Sequence, residues 1–201
     1  MQQNLPEEQP EASRSSVTDE GDARPGFWVA VKTKTRCEKK AAEGIDQAGF
    51  KTYVPLQTQM RQWSDRKKRV EVVIIPGTIF VRADETDLPD ILRNPYVLAI
   101  LKYPSQRQAA RIPDKQINQL RFMLNASDTP VTFEPSGPSA AFRSGTPVRV
   151  RRGNLRGLTG QVERTSDGRA TLRITLDLLG GARVEISPAD LAPLPHNVES
   201  D

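Results

Sequence analysis

The chain has 201 residues, of which 36% are apolar and 27% charged. That length and low apolar content allow small cores rather than one large one. A single cysteine, Cys37, excludes an internal disulfide, and with a single histidine, His196, a Cys/His zinc centre is not expected. No run of about 18 apolar residues exists to cross a membrane. The acidic, Pro-rich start lacks the apolar stretch of a signal peptide. The net charge is +4, but residues 1–24 carry six acids against Arg14 and Arg24, so the remainder is basic and suits a polyanionic partner, nucleic acid first.

Residues 1–25 hold almost no large apolar side chain and are expected to be disordered, because they cannot offset the entropy of ordering. Phe27 to Val31 is a short apolar run, a strand covered on both faces. Thr35-Arg36-Cys37-Glu38 matches a capping box, followed by Cys37, Ala41, Ile45 and Ala48 at helical spacing and by Gly49 as the C′ residue. Phe50 to Leu56 reads as a second strand. Residues 57–74 form a long hairpin, with Ser64 to Lys68 at its tip. Pro76-Gly77 turns into a strand at Thr78 to Val81. Asp87 to Asn94 is a short helix with Leu88, Ile91 and Leu92 inward, and Tyr96 to Tyr103 is another strand. Pro113-Asp114 opens a helix with Ile117, Leu120 and Leu124 on one stripe. This order predicts an α+β sandwich of helices on an antiparallel sheet.

Residues 126–142, with Pro130, Pro135, Gly137 and Pro138, read as a flexible linker. Five short strands follow: 146–151, 159–163, 170–175, 183–186 and a closing segment at 190–194. Turns are expected at Asp167-Gly168 and Gly180-Gly181. So many strands in so few residues bury one core only by curling into a small barrel. That barrel is expected to stay β, because its strands are rich in Val, Ile and Thr.

Val148 to Glu163, with Gly153, Gly157 and Gly160, resembles a KOW motif. Trp28-Val29-Ala30-Val31, Tyr53-Val54-Pro55-Leu56, Pro76 to Val81 and Ile112 to Ile117 fall in the order seen in NusG N-terminal domains. The hairpin Arg61 to Lys68 looks more like the UpxY-type antiterminator paralogs. Thr78 stands where the family usually has an aromatic. The resemblance spans about residues 26–194. It implies an N-terminal (NGN) domain over 26–125 and an SH3-like KOW barrel over 143–195.

By that resemblance the chain is a monomeric bacterial cytoplasmic factor of transcription elongation or antitermination. Trp28, Ile75, Pro76, Thr78, Phe80 and Tyr103 would line an open apolar hollow for the clamp coiled coil of the largest RNA polymerase subunit. Lys32, Lys34, Arg36, Lys39 and Lys40, together with Arg61, Trp63, Arg66, Lys67 and Lys68, would approach non-template DNA or nascent RNA. Leu155, Leu158, Leu178 and Leu179 would be exposed on the barrel and meet Rho or a small-subunit ribosomal protein. Two other readings compete: a general elongation factor coupling polymerase to Rho or the ribosome, and an rRNA-binding protein with a KOW barrel.

An enzyme is not expected. His196 lies in a Pro-flanked tail with no Ser or Cys partner near it in sequence. The glycines of 153–160 lack the Lys-Ser/Thr pair and helix of a phosphate loop. No metal, no cofactor and no membrane partner is expected.

Overall fold

A computed structural model describes residues 26–62, 67–103, 107–135, 145–164, 170–176 and 178–194, apart from the side chains of Arg61 and Arg164. The expectations for the N-terminal tail, hairpin residues 63–66, the Asp167-Gly168 turn and His196 lie outside those residues, whereas Lys67 and Lys68, read as part of the hairpin tip, belong to its returning strand. Strands β1 (Phe27–Thr33), β2 (Lys51–Tyr53), β5 (Thr78–Ala83) and β6 (Val97–Ile100) form an antiparallel sheet in the order β2-β5-β1-β6, and β7 (Arg111–Ile112) also pairs with β1. A separate hairpin joins β3 (Leu56–Gln62) to β4 (Lys67–Val73).

β1 is buried on both faces, as its unbroken apolar run predicts. Val29 and Val31 share a core with Ile79, Val81, Ala41 and Ile45 of helix α1 (Glu38–Gln47), and Ile91 of helix α2 (Leu88–Leu92). Trp28, Ala30 and Phe80 face the opposite way. They pack with Ile117, Leu120, Met123 and Leu124 of helix α3 (Asp114–Ala126). That apolar stripe on α3 contributes about 1.5–3 kcal/mol per fully buried side chain.

Several boundaries differ from expectation. No capping box starts α1: Cys37 is the N-cap without a side-chain bond. Glu38 is instead buried and accepts from the Gly77 amide at 2.7 Å, so a carboxylate expected to cap its own helix holds a distant turn. The end of α1 is as read. Gly49 has φ +87°, its amide donates to Asp46 O, and the Phe50 amide donates to Ile45 O, with both apolar side chains in one core. Leu92 is not inward; it is 49% exposed and is the last residue of α2, which ends two residues before the expected Asn94. β7, too brief to show a pattern, was not foreseen.

The second sheet has six strands, ordered β13-β9-β10-β11-β12-β8. They are β8 (Thr132–Pro135), β9 (Thr146–Val150), β10 (Thr159–Arg164), β11 (Ala170–Leu176), β12 (Gly180–Ile186) and β13 (Leu191–Pro193). β8 lies inside the segment read as linker. It pairs with Gly180–Arg183 of β12, and the Gln57 side chain grips the chain before it, accepting from Val131 N at 2.8 Å and donating to Thr129 O at 3.0 Å. Gly180 and Gly181 are not a turn but the start of β12. The turn is at Leu178, whose φ is +61°. Gly160 is required by crowding: a Cβ there would sit 2.4 Å from Arg173 O.

The barrel packs against α3. Gln119 donates to Thr159 Oγ1 at 2.8 Å and to Thr159 O at 3.1 Å, and Asn154 donates to Asp128 at 2.6 Å. Apolar side chains of both units form one continuous core cluster.

Candidate functional site

The six residues expected to line the hollow divide by accessibility. Trp28, Ile75, Thr78 and Phe80 are each at most 2% exposed, while Pro76 is exposed and Tyr103 half-buried. The open hollow expected from the sequence is therefore covered. Its cover is specific. Tyr53 stacks on Phe80 with centroids 5.9 Å apart. The Arg121 guanidinium lies over both Trp28, at 5.3 Å, and Tyr53, at 4.7 Å. Asp114 accepts from Trp28 Nε1 at 2.9 Å and from Arg82 at 3.0 Å. Burial pushes the Tyr53 phenol above its ordinary range, against the Arg121 cation, which lowers it.

This roof comes from the residue order of α3. Pro113 presets the first turn, Asp114 stands at the helix N-terminus where a carboxylate is favoured, and Arg121 follows two turns later on the same side. Sequence reasoning missed Arg121. The signal was its helical spacing from Asp114, a seven-residue step that keeps one face. At the far end of the covered face Lys32 donates to Thr78 Oγ1 at 3.1 Å. The threonine that departs from an aromatic thus receives a lysine.

The basic residues are exposed where described. Lys32, Lys34, Arg36, Lys39 and Lys40 surround the entry to α1, and Lys67 and Lys68 stand on β4. The Lys39–Glu71 ion pair, 2.5 Å, ties the helix start to the hairpin, so the two clusters adjoin. Lys40 lies 6.0 Å from the centre of the Tyr96 ring. Trp63, Arg66 and the Arg61 side chain lie outside the described residues.

The barrel leucines are not where they were expected. Leu155, Leu158 and Leu179 are at most 8% exposed and belong to the core, and Leu178 is half-buried. A barrel this small has little interior, so its loops fold apolar side chains inward to complete it. What that loop exposes is Arg151, Arg152, Asn154 and Arg156. Among the described residues no group of three His, Cys, Asp or Glu could hold a metal ion. Among the described residues no helix is long and apolar enough to cross a membrane.

Residues 26–121 match the family model described as transcription termination factor NusG. No curated protein matches the sequence significantly. Among solved structures, one described as domain interaction in Thermotoga maritima NusG is similar over 85% of this chain and 98% of that one, at 16% identity and a TM-score of 0.49. An MjSpt4:Spt5 complex in its conformation A is similar over 84% of this chain and 98% of that one, at 17% identity and a TM-score of 0.28. The matched residues, just under half of the chain, take in the front sheet, α1, α2 and the part of α3 up to Arg121, and over them this chain carries a domain of the NusG type.

Proposed function

We propose that this chain is an antitermination or elongation factor that binds RNA polymerase through the α3-side face of its front sheet. It would suppress pausing or termination, act on selected operons in the manner of the UpxY-type paralogs, and recruit a partner such as Rho or a small-subunit ribosomal protein through the barrel. The supporting observation is that the family match falls on the domain in which Trp28, Ile75 and Phe80 share one core cluster, with Thr78 two residues before Phe80 on the same side of β5. Pro76 and Tyr103 are the members of the set that reach solvent. They are where a coiled coil from the polymerase clamp first touches. Seating it fully requires α3, with the roof of Tyr53 and Arg121, to move. A factor of this kind shifts polymerase away from paused states only through a difference in affinity between those states. The adjoining basic residues at the α1 entry and on β4 supply phosphate contacts to the displaced DNA strand or to nascent RNA.

Two accessible positions test this without touching the core. Pro76→Asp with Tyr103→Asp places charge in the contact, and capture of core RNA polymerase by the full chain is expected to fall at least tenfold. Circular dichroism of the variant should match the parent. Undiminished capture by the folded variant contradicts the proposed face.

A further inference from the structure

Between α3 and the barrel runs an open crevice of about 670 Å³. Its α3 wall is Lys115, Asn118 and Phe122, a stripe at helical spacing, and its barrel wall includes Arg156, Gly157 and Thr159. No acidic side chain lines it. Neither Lys115 nor Arg156 forms an ion pair among the described residues. Phe122 is 40% exposed, although Ile117, Leu120, Met123 and Leu124 of the same helix are buried. Arg149 is the register partner of Thr159, so its side chain leaves the same face of the barrel sheet and extends the positive wall.

Solvated cations with an exposed aromatic and a free amide between them is the chemistry that holds unpaired bases. The cations meet phosphates, the ring offers a stacking platform, and the amide reaches a base edge. A duplex cannot use such a slot, because its bases are already stacked and paired. We infer that the crevice between α3 and the barrel is a binding site for single-stranded nucleic acid, built from both units of the chain and separate from the basic residues of the α1 entry and β4. Phe122 stacks on one base, Asn118 contacts its edge, and Lys115, Arg149 and Arg156 hold the backbone on either side. The inference does not depend on the polymerase contact proposed above.

Fluorescence anisotropy of the full chain with labelled oligouridylate and oligothymidylate of about eight nucleotides, within the ~4–16 that such grooves cover, tests it. A Lys67→Ala, Lys68→Ala background removes described cations of the hairpin. In that background Phe122→Ala is expected to weaken binding at least fivefold and Phe122→Tyr to restore it, since stacking contributes about 1–3 kcal/mol per base. Lys115→Ala and Arg156→Ala are each expected to reduce the slope of log affinity against log salt by about 0.7. The strand bound more tightly identifies RNA or DNA as the source. If neither strand binds, or if binding is unchanged by Phe122→Ala and by Lys115→Ala with Arg156→Ala, the site does not exist.

Discussion

On one face of the front sheet, Val29, Val31, Ile79 and Val81 meet Ala41, Ile45 and Ile91 in a hydrocarbon cluster. On the other, Trp28 and Phe80 lie beneath Tyr53, the Arg121 guanidinium and the Asp114 carboxylate. Both faces exclude water with hydrocarbon, since Trp28, Ala30 and Phe80 also pack on Ile117, Leu120, Met123 and Leu124 of α3, but only the second face adds rings and charges beside its apolar contact. A hydrocarbon seam has no favourable intermediate on opening: every separated pair exposes apolar area. A seam laced with charges and rings keeps partners for its polar groups in water as well. That asymmetry suits the partner contact proposed for the α3 side.

Breaking each seam gives different outcomes. Ile79→Ala, in the hydrocarbon seam, is expected to cost about 4 kcal/mol through the cavity it leaves, read by urea denaturation. The polar latch of the barrel is next. Glu163 is 3.1 Å from Arg183 and 3.6 Å from Arg173, and Arg183 also pairs with Glu134 of β8. Glu163→Ala leaves a buried guanidinium without its carboxylate and should cost about 3 kcal/mol. Replacing Arg121 by Ala should lower stability by only about 1 kcal/mol. In a Trp63→Phe background, however, it should make Trp28 fluorescence markedly more quenchable by acrylamide. Equal and large losses from Ile79→Ala and Arg121→Ala would erase the difference between the faces.

The smallest effect is at alkaline pH. The folded chain retains the Tyr53 proton because burial raises its phenol, whereas an unfolded tyrosine releases its proton near pH 10. The stabilisation is whole below about pH 10 and is lost as pH rises beyond it. Tyr53→Phe should flatten that alkaline limb of a stability profile.

Much of this was legible locally. The unbroken run of β1, the Gly49 helix stop and the Ile117-Leu120-Leu124 stripe each follow from a few adjacent residues. What was not legible depends on distant partners. Thr132 to Pro135 looks like linker because of its prolines, and becomes a strand only by pairing with Gly180 to Arg183. The barrel leucines look like loop exposures because position in a turn does not reveal where the core is. For the candidate site, the shared side of Thr78 and Phe80 on β5 was legible from strand alternation. Their cover was not, because a roof across Trp28 and Tyr53 is a property of how α3 lies on the sheet.

Hydrogen–deuterium exchange of the full chain with and without core RNA polymerase tests the central claim most directly. Binding through the α3-side face should add protection at residues 74–80 and 101–103, change exchange in α3 as its roof moves, and leave α1 residues 41–47 and α2 unchanged. Protection confined to α2 and the outer edge of β6, or none in the front domain at all, would contradict it.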